Sequence, residues 1–286
     1  DKLTALRRFR GGAADTVSDV PSERIGWIRR TLPGTLRIAE YAGTYYLAFN
    51  TRRAPFDDVR IRQALALATD RDRIASRLLG GGEHGAVGLV PPALGGSDRD
   101  VLGVRRPDAL RRARALLRAA GYGPERPLVF DLRFNSGGDH RRIAVALASL
   151  WRPLGIEARA FNSEATLHFA TLRAGDFALA RSGWIADLPA AANFLGVHRP
   201  DAGAVNYSGL DDARYDALLD RAAAATDSTK RRGWEQAAED RLMTLAPILP
   251  IYYYVSRSLV ATDIGGWQDN AMNIHPSRLL YRRVSR

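Results

Sequence analysis

The sequence has no cysteine, only two lysines (Lys2 and Lys230), and no uninterrupted apolar run of the roughly eighteen residues a membrane helix needs. Without cysteine there is neither a disulfide nor a thiolate metal site. That suits an extracytoplasmic protein built without staples, although cytosolic chains can also lack cysteine. The longest apolar stretch, residues 246–255, is interrupted by Pro247 and Pro250. The opening DKLTALRRFR lacks the apolar core and small-residue cleavage site of a secretory signal, so the expectation is that a signal has been removed or that the beginning of a longer protein is missing.

The 286 residues are 46% hydrophobic and 26% charged, enough apolar material for one large domain or two smaller ones. The net charge of +11 raises the question of a nucleic-acid or acidic-membrane partner. Its distribution argues against one. Arg29-Arg30, Arg111-Arg112, Arg141-Arg142 and Arg231-Arg232 lie in separate segments, usually with acids nearby, as on solvated helix faces. Abundant Ala, Gly and Arg beside scarce Lys reads as GC-rich codon usage, which raises the charge without implying a partner.

Hydrophobic periodicity alternates between helix and strand and predicts an α/β architecture. Helices are expected over 59–68, with Ile61, Ala64, Leu65 and Ala68 on one face, and from Asp70 to a stop at Gly80. A third starts at Pro107, with a stripe of Leu110, Ala113 and Leu117, and ends at Gly121. Others are expected over 139–152, 212–225 and 228–245. Residues 128–134 alternate as a half-buried strand does, 156–161 and 177–184 are further strand candidates, and 41–50 and 248–256 are aromatic-rich extended segments. The glycine-rich stretch 80–96 reads as a helix stop followed by a flexible loop.

Catalytic motifs are scarce. Residues 80–85, GGGEHG, match G-x-G-x-x-G formally, but they follow a helix and lead to Pro91-Pro92, not from a strand into a helix as dinucleotide binding requires. There is no phosphate-binding G-x-x-x-x-G-K-[ST] and no G-x-S-x-G. The five histidines are far apart in sequence, and the acid pairs Asp57-Asp58 and Asp211-Asp212 stand at helix starts, where capping accounts for them. No enzyme, cofactor or metal is expected.

Residues 44–82 give an aromatic strand, a turn at Pro55 and two consecutive helices. Phe49-Asn50-Thr51 followed by PFDDVRIRQAL over 55–65 resembles the extracellular solute-binding proteins of family 5, the oligopeptide-, dipeptide- and nickel-binding receptors of ABC importers. Further pieces recur in that family's order: Val90-Pro91-Pro92, ALLRAAGY (115–122), Gly175-Asp176-Phe177, Gly183-Trp184-Ile185-Ala186-Asp187, Asn206-Tyr207-Ser208-Gly209 and APILPIYYYV (246–255). The oligopeptide-binding branch is the most similar.

The resemblance implies a periplasmic binding protein type II-like fold, of which this chain holds a complete second lobe and part of the first. Residues 1–48 would be the tail of the first lobe, 49–254 the ligand-binding second lobe and 255–286 the return to the first, with the tyrosine-rich segments as hinge crossings. It implies a periplasmic or lipid-anchored receptor, monomeric when intact, that captures peptides and hands them to permease subunits.

A peptide presents an ammonium, a carboxylate and variable side chains, so a receptor needs an acid anchor, basic groups and aromatic walls. By resemblance Asp187 meets the ammonium, Arg181 the carboxylate, and His140 the carboxylate of some peptide lengths, while Trp184, Tyr45 and Tyr254 wall the cleft. Plain structural roles stay open for them: loop capping for Asp187, a surface helix start for His140 and core packing for the aromatics. Leu188 and Ala165 stand where the family usually has Tyr and Trp, which removes aromatic surface from the cleft. A nickel chelate, another small solute or a murein peptide remain alternative ligands, and a non-transporting relic or interaction domain an alternative role.

Overall fold

The computed structural model describes residues 1–283. The chain opens with α1 (Lys2–Arg10), β1 (Thr16–Ser18) and α2 (Ile25–Thr31) before the fourteen-residue strand β2 (Leu36–Phe49). Helix α3 (Val59–Leu67) and the single turn α4 (Arg71–Arg73) follow, the latter widening into a π-helix over Ile74–Leu79. Then come β3 (His84–Gly85), α5 (Ala109–Ala119), β4 (Leu128–Asn135), α6 (His140–Trp151), β5 (Ile156–Ser163), α7 (Ala165–Arg173) and β6 (Leu179–Ile185). Helices α8 (Ala191–Leu195), α9 (Ala213–Ala224) and α10 (Ser228–Leu245) lead to β7 (Ile248–Val260) and the short pair β8 (Ile264–Gly265) and β9 (Tyr281–Arg282).

Seven strands form one mixed sheet in the order β1-β7-β2-β6-β4-β5, with β3 added to β7. The long strands β2 and β7 pair antiparallel along most of their length, and β6 runs antiparallel to β2 but parallel to β4. One face of the sheet packs Tyr45, Leu47 and Phe49 against Phe56, Ile61, Leu65, Leu147 and Trp151 of α3, α6 and their connections. The opposite face packs Tyr46, Ala48 and Ala180 against Phe194, Tyr215 and Leu242 under α8 to α10. A third, smaller core of Leu6, Phe9, Val17, Val20, Ile28 and Leu259 gathers around the outer end of β7.

The helix starts follow capping chemistry. Asp58, Asp70, Asp212 and Asp227 each accept a backbone N–H from the first turn of the helix they precede. The alternation over β4 is also as expected, with Leu128, Phe130, Leu132 and Phe134 buried.

Two expectations need correction. Helix α5 begins at Ala109, and its buried stripe is Ala109, Ala113 and Leu117, while Leu110 is exposed. Spacing alone admits either face, and packing on α3 selects the one with small alanines. The glycine-rich stretch is not a flexible loop either. Gly80, at φ +65°, does stop the helix, but residues 86–91 are buried. Strand β3 pairs with β7, Thr44 Oγ1 donates to the Leu89 carbonyl at 2.7 Å, and the amides of Leu89 and Val90 donate to Glu239 Oε1 at 2.7 and 2.8 Å.

The motif pieces that carry the family resemblance find one another in space, and most of them are scaffold. Asn50 Nδ2 donates to the carbonyls of Gly175 and Phe177, and Thr51 Oγ1 to that of Ser208. Arg62, buried, donates to Phe56, Leu245 and Ala246 carbonyls at 2.7, 2.6 and 3.1 Å, closing the C-terminal end of α10. Arg71 does the same for Ala66, Thr69 and Pro250.

Candidate ligand-binding site

Strand register decides which side chains meet. Tyr45 of β2 stands opposite Gly183 of β6 on one side and Tyr252 of β7 on the other. Residues of one parity on β6 therefore share a face with Tyr45, and Arg181 is among them. The Tyr45 and Tyr252 rings stack with centroids 4.8 Å apart, and Tyr254 packs edge-on against Tyr252 at 5.4 Å. Gly43 and Gly183 make room for the Tyr254 ring. A β-carbon at Gly43 would lie 2.6 Å from Tyr254 Cδ2, and one at Gly183 2.9 Å from its hydroxyl oxygen.

Arg181 fills the space beside these rings. Its guanidinium donates to Asn135 Oδ1 at 3.2 Å and to the Tyr254 hydroxyl at 3.1 Å, and its Cζ lies 5.0 Å from the Tyr45 ring centroid. Its Nε is buried without a hydrogen-bond partner. Every one of these contacts is to a neutral group: Asn135 is an amide, and the tyrosine hydroxyls keep their protons at pH 7, burial pushing Tyr45, Tyr252 and Tyr254 further above the usual range.

His140, at the start of α6, lies 5.6 Å from the Tyr45 ring, and its Nδ1 is buried and unpartnered. Burial, reinforced by the charge of Arg181, pulls its pKa down to about 4, so the imidazole is neutral at pH 7. The group sits at the carboxyl end of β4, which Asn135 closes just before His140 opens α6, a position where open α/β sheets bind ligands.

Four of the six residues singled out from sequence thus converge: Arg181, His140, Tyr45 and Tyr254. Trp184 does not join them. Its parity places it on the opposite face of β6, where its Nε1 donates to Asn193 Oδ1 at 3.0 Å and its ring packs against the second core. Asp187, beyond the end of β6, is exposed, and its backbone amide donates to the same Asn193 oxygen at 3.1 Å. Asn135 and Tyr252 complete the arginine pocket and were missed. The end of a correctly placed strand next to a helix start was the available signal for Asn135, and the unbroken Tyr252-Tyr253-Tyr254 run, with alternate residues on one face, was that for Tyr252.

The family model of bacterial extracellular solute-binding proteins, family 5 Middle, matches residues 1–204. The chain is 36% identical over 271 residues to the probable deoxycholate-binding periplasmic protein YgiS of Escherichia coli, covering 93% of this chain and 50% of that protein. To the periplasmic oligopeptide-binding protein OppA of Salmonella typhimurium it is 32% identical over 285 residues, covering 97% and 52%. Among solved structures, the murein tripeptide binding protein MppA of Escherichia coli superposes with a TM-score of 0.86 at 30% identity, over 98% of this chain and 56% of that one. OppA of Haemophilus influenzae in complex with the peptide RPPGFSPFR gives 0.83 at 29%, with the same coverages. The chain spans about half the length of the curated relatives it matches.

Proposed function

The chain belongs to the bacterial extracellular solute-binding proteins of family 5, and from that premise we propose that it forms the ligand-capturing half of a periplasmic receptor for peptides or related carboxylates. The receptor delivers its ligand to the permease subunits of an ABC importer. Members of this family are binding proteins, and capture needs no cofactor. Residues 49–254 act as the ligand-binding second lobe, with 1–48 and 255–286 belonging to the first. The separate apolar cluster around Leu6, Phe9, Ile28 and Leu259 supports grouping the two outer segments, while Tyr45 to Ala48, at the crossing, pack into the cores of the second lobe.

The observation that carries the reading is a part-buried guanidinium, its Nε fully buried, whose described partners are all neutral. Removing a charge from water is costly unless an opposite charge and hydrogen bonds replace the solvent. A ligand carboxylate supplies both. Peptides and deoxycholate, the ligands named for the relatives, share that group. Arg181 receives it with charge-assisted hydrogen bonds, neutral His140 and Asn135 lie close by, and Tyr45, Tyr252 and Tyr254 provide the wall. Asp187 stands at the exposed rim, facing a ligand's ammonium, and closure over the ligand proceeds by hinge motion of the two lobes.

Calorimetric titration tests the assignment. Arg181→Gln should weaken binding of trialanine to the whole gene product by about 2–5 kcal/mol, the usual cost of truncating a buried charge partner. Trialanine amide should bind weakly to wild type and variant alike. Equal affinity of both proteins for trialanine would remove Arg181 from the site.

A further inference from the structure

His168 stands on the inner face of α7, where the helix otherwise buries the apolar Leu172 one turn on. It is fully buried by this chain alone, and further chain can only add cover. Glu164 fixes the first turn by accepting the amides of Thr166 and Leu167, so the ring enters from a set position. Its Nε2 lies 2.9 Å from the Arg181 carbonyl oxygen. A carbonyl only accepts, so Nε2 carries the ring proton, and Nδ1 is left bare, buried and without a hydrogen-bond partner among the described residues. Burial pulls the pKa below the usual histidine range, the bonded carbonyl offsetting part of the fall, and the ring is neutral at pH 7.

The Arg181 carbonyl needs this donor because the sheet supplies none. Just beyond the two ends of the β2–β6 pairing, the Asn50 amide donates to the Ala178 carbonyl and the Ala186 amide to that of Ala42. Even-numbered residues of β6 therefore exchange hydrogen bonds with β2, and odd-numbered ones, Arg181 among them, turn their amide and carbonyl groups toward β4. The pairing with β4 covers only Leu179 and Ala180, opposite Leu132 and Arg133. Where that ladder stops, the His168 side chain covers the Arg181 carbonyl in place of a strand. An apolar residue at 168 would fill the space and leave a buried carbonyl without its donor.

Arg181 is thus gripped at both ends, its guanidinium by Asn135 and the Tyr254 hydroxyl and its backbone by His168. A turn of the peptide plane after Arg181 would shift the base of the side chain, and hydrogen bonds weaken steeply away from their preferred geometry. We infer that His168 is a positioning residue for ligand capture: by holding the Arg181 carbonyl at the end of the β4–β6 ladder, it sets the direction in which the guanidinium meets a ligand carboxylate. The inference rests on the reading of Arg181 as the carboxylate anchor and adds the residue that aims it.

The test is calorimetric titration of trialanine into the whole gene product as wild type, His168→Phe, His168→Gln, Arg181→Gln and the double variant H168F/R181Q, with urea unfolding of each alongside. Phe keeps a ring and removes the donor, whereas Gln brings an N–H to a similar reach. His168→Phe should weaken binding by about tenfold or more, the effect of one charge-assisted hydrogen bond, and His168→Gln should stay within about threefold of wild type. On the Arg181→Gln background, His168→Phe should change affinity by less than about twofold, because no guanidinium is left to aim. A merely structural histidine would move the urea midpoint and leave affinity and this non-additivity untouched. Equal affinity of His168→Phe and wild type, a Gln variant as damaged as the Phe one, or the same loss with and without Arg181 overturns the inference. If His168→Phe does not fold, His168→Met, which also lacks the donor, takes its place in both backgrounds. Nitrogen-15 NMR of the wild type adds a check that needs no variant: at pH 7 His168 should be the neutral Nε2–H tautomer, and an Nδ1–H tautomer or a charged ring overturns the inference. If Arg181→Gln itself leaves trialanine binding unchanged, the anchor reading falls first, and the aiming role with it.

Discussion

Glu239 should make this protein less stable as pH rises from weakly acidic to neutral. Its carboxyl lies on α10, almost fully buried, with the amides of Leu89 and Val90 donating to one oxygen. Gly88 packs so close that a β-carbon there would lie 2.5 Å from Oε1. Burial raises the pKa from an ordinary 4.5 to about 7, and the backbone donors offset only part of that rise. The folded state therefore keeps a proton that the unfolded chain releases. The stabilisation is fully present below 4.5 and is lost as pH climbs through 7.

Each pH unit in that window is worth about 1.4 kcal/mol, so the loss across it is about 3 kcal/mol. Urea unfolding of the wild type and Glu239→Gln at about pH 5 and about pH 7.5 isolates the effect, because the other titrating groups are common to both. The wild type should lose about 2.4 kcal/mol relative to the variant between the two conditions, the remainder being lost mainly below pH 5. Parallel pH profiles would refute the reasoning and show that water reaches the carboxylate.

Arg62→Met leaves the carbonyls of Phe56, Leu245 and Ala246 without their donor and should cost about 3 kcal/mol or more, at about 1–3 kcal/mol per buried unsatisfied group; urea midpoints measure it, and a loss under about 1 kcal/mol contradicts the capping role. Gly183→Ala forces a methyl against the Tyr254 hydroxyl and should destabilise by about 1–3 kcal/mol on thermal unfolding, with an unchanged Tm contradicting the tight fit. Limited proteolysis should cut first within residues 97–105, of which all but Gly103 are exposed or half-buried, and spare 86–91, which are buried; mass spectrometry of the early fragments decides.

Much of the scaffold was legible because it depends on local chemistry. Capping aspartates marked four helix starts, Gly80 a helix stop, and the alternation of 128–134 a strand with one buried face. What failed depends on distant partners. The burial of residues 86–91 comes from Glu239 and β7, more than 140 positions away, and no local pattern carries that. The choice of Ala109 over Leu110 on α5 comes from the helix it meets.

At the site, resemblance gave candidate residues but not their grouping. Arg181 and Trp184 are three apart on one strand, so the period of two already places them on opposite faces. That argument was available from sequence once 177–184 had been read as a strand. The stacking of Tyr45 on Tyr252 needed the β2–β7 register, which bulges between Glu40 and Thr44 and again at Tyr46, so no count along the chain would have given it.

A crystal structure of the whole gene product with trialanine tests the role of Arg181 most directly. The ligand carboxylate should lie within hydrogen-bond distance of the Arg181 guanidinium, beside Asn135 and the Tyr254 hydroxyl, with the peptide running past Ile185 toward Leu188. A carboxylate bound elsewhere, with Arg181 still facing only Asn135 and tyrosines, would contradict the account.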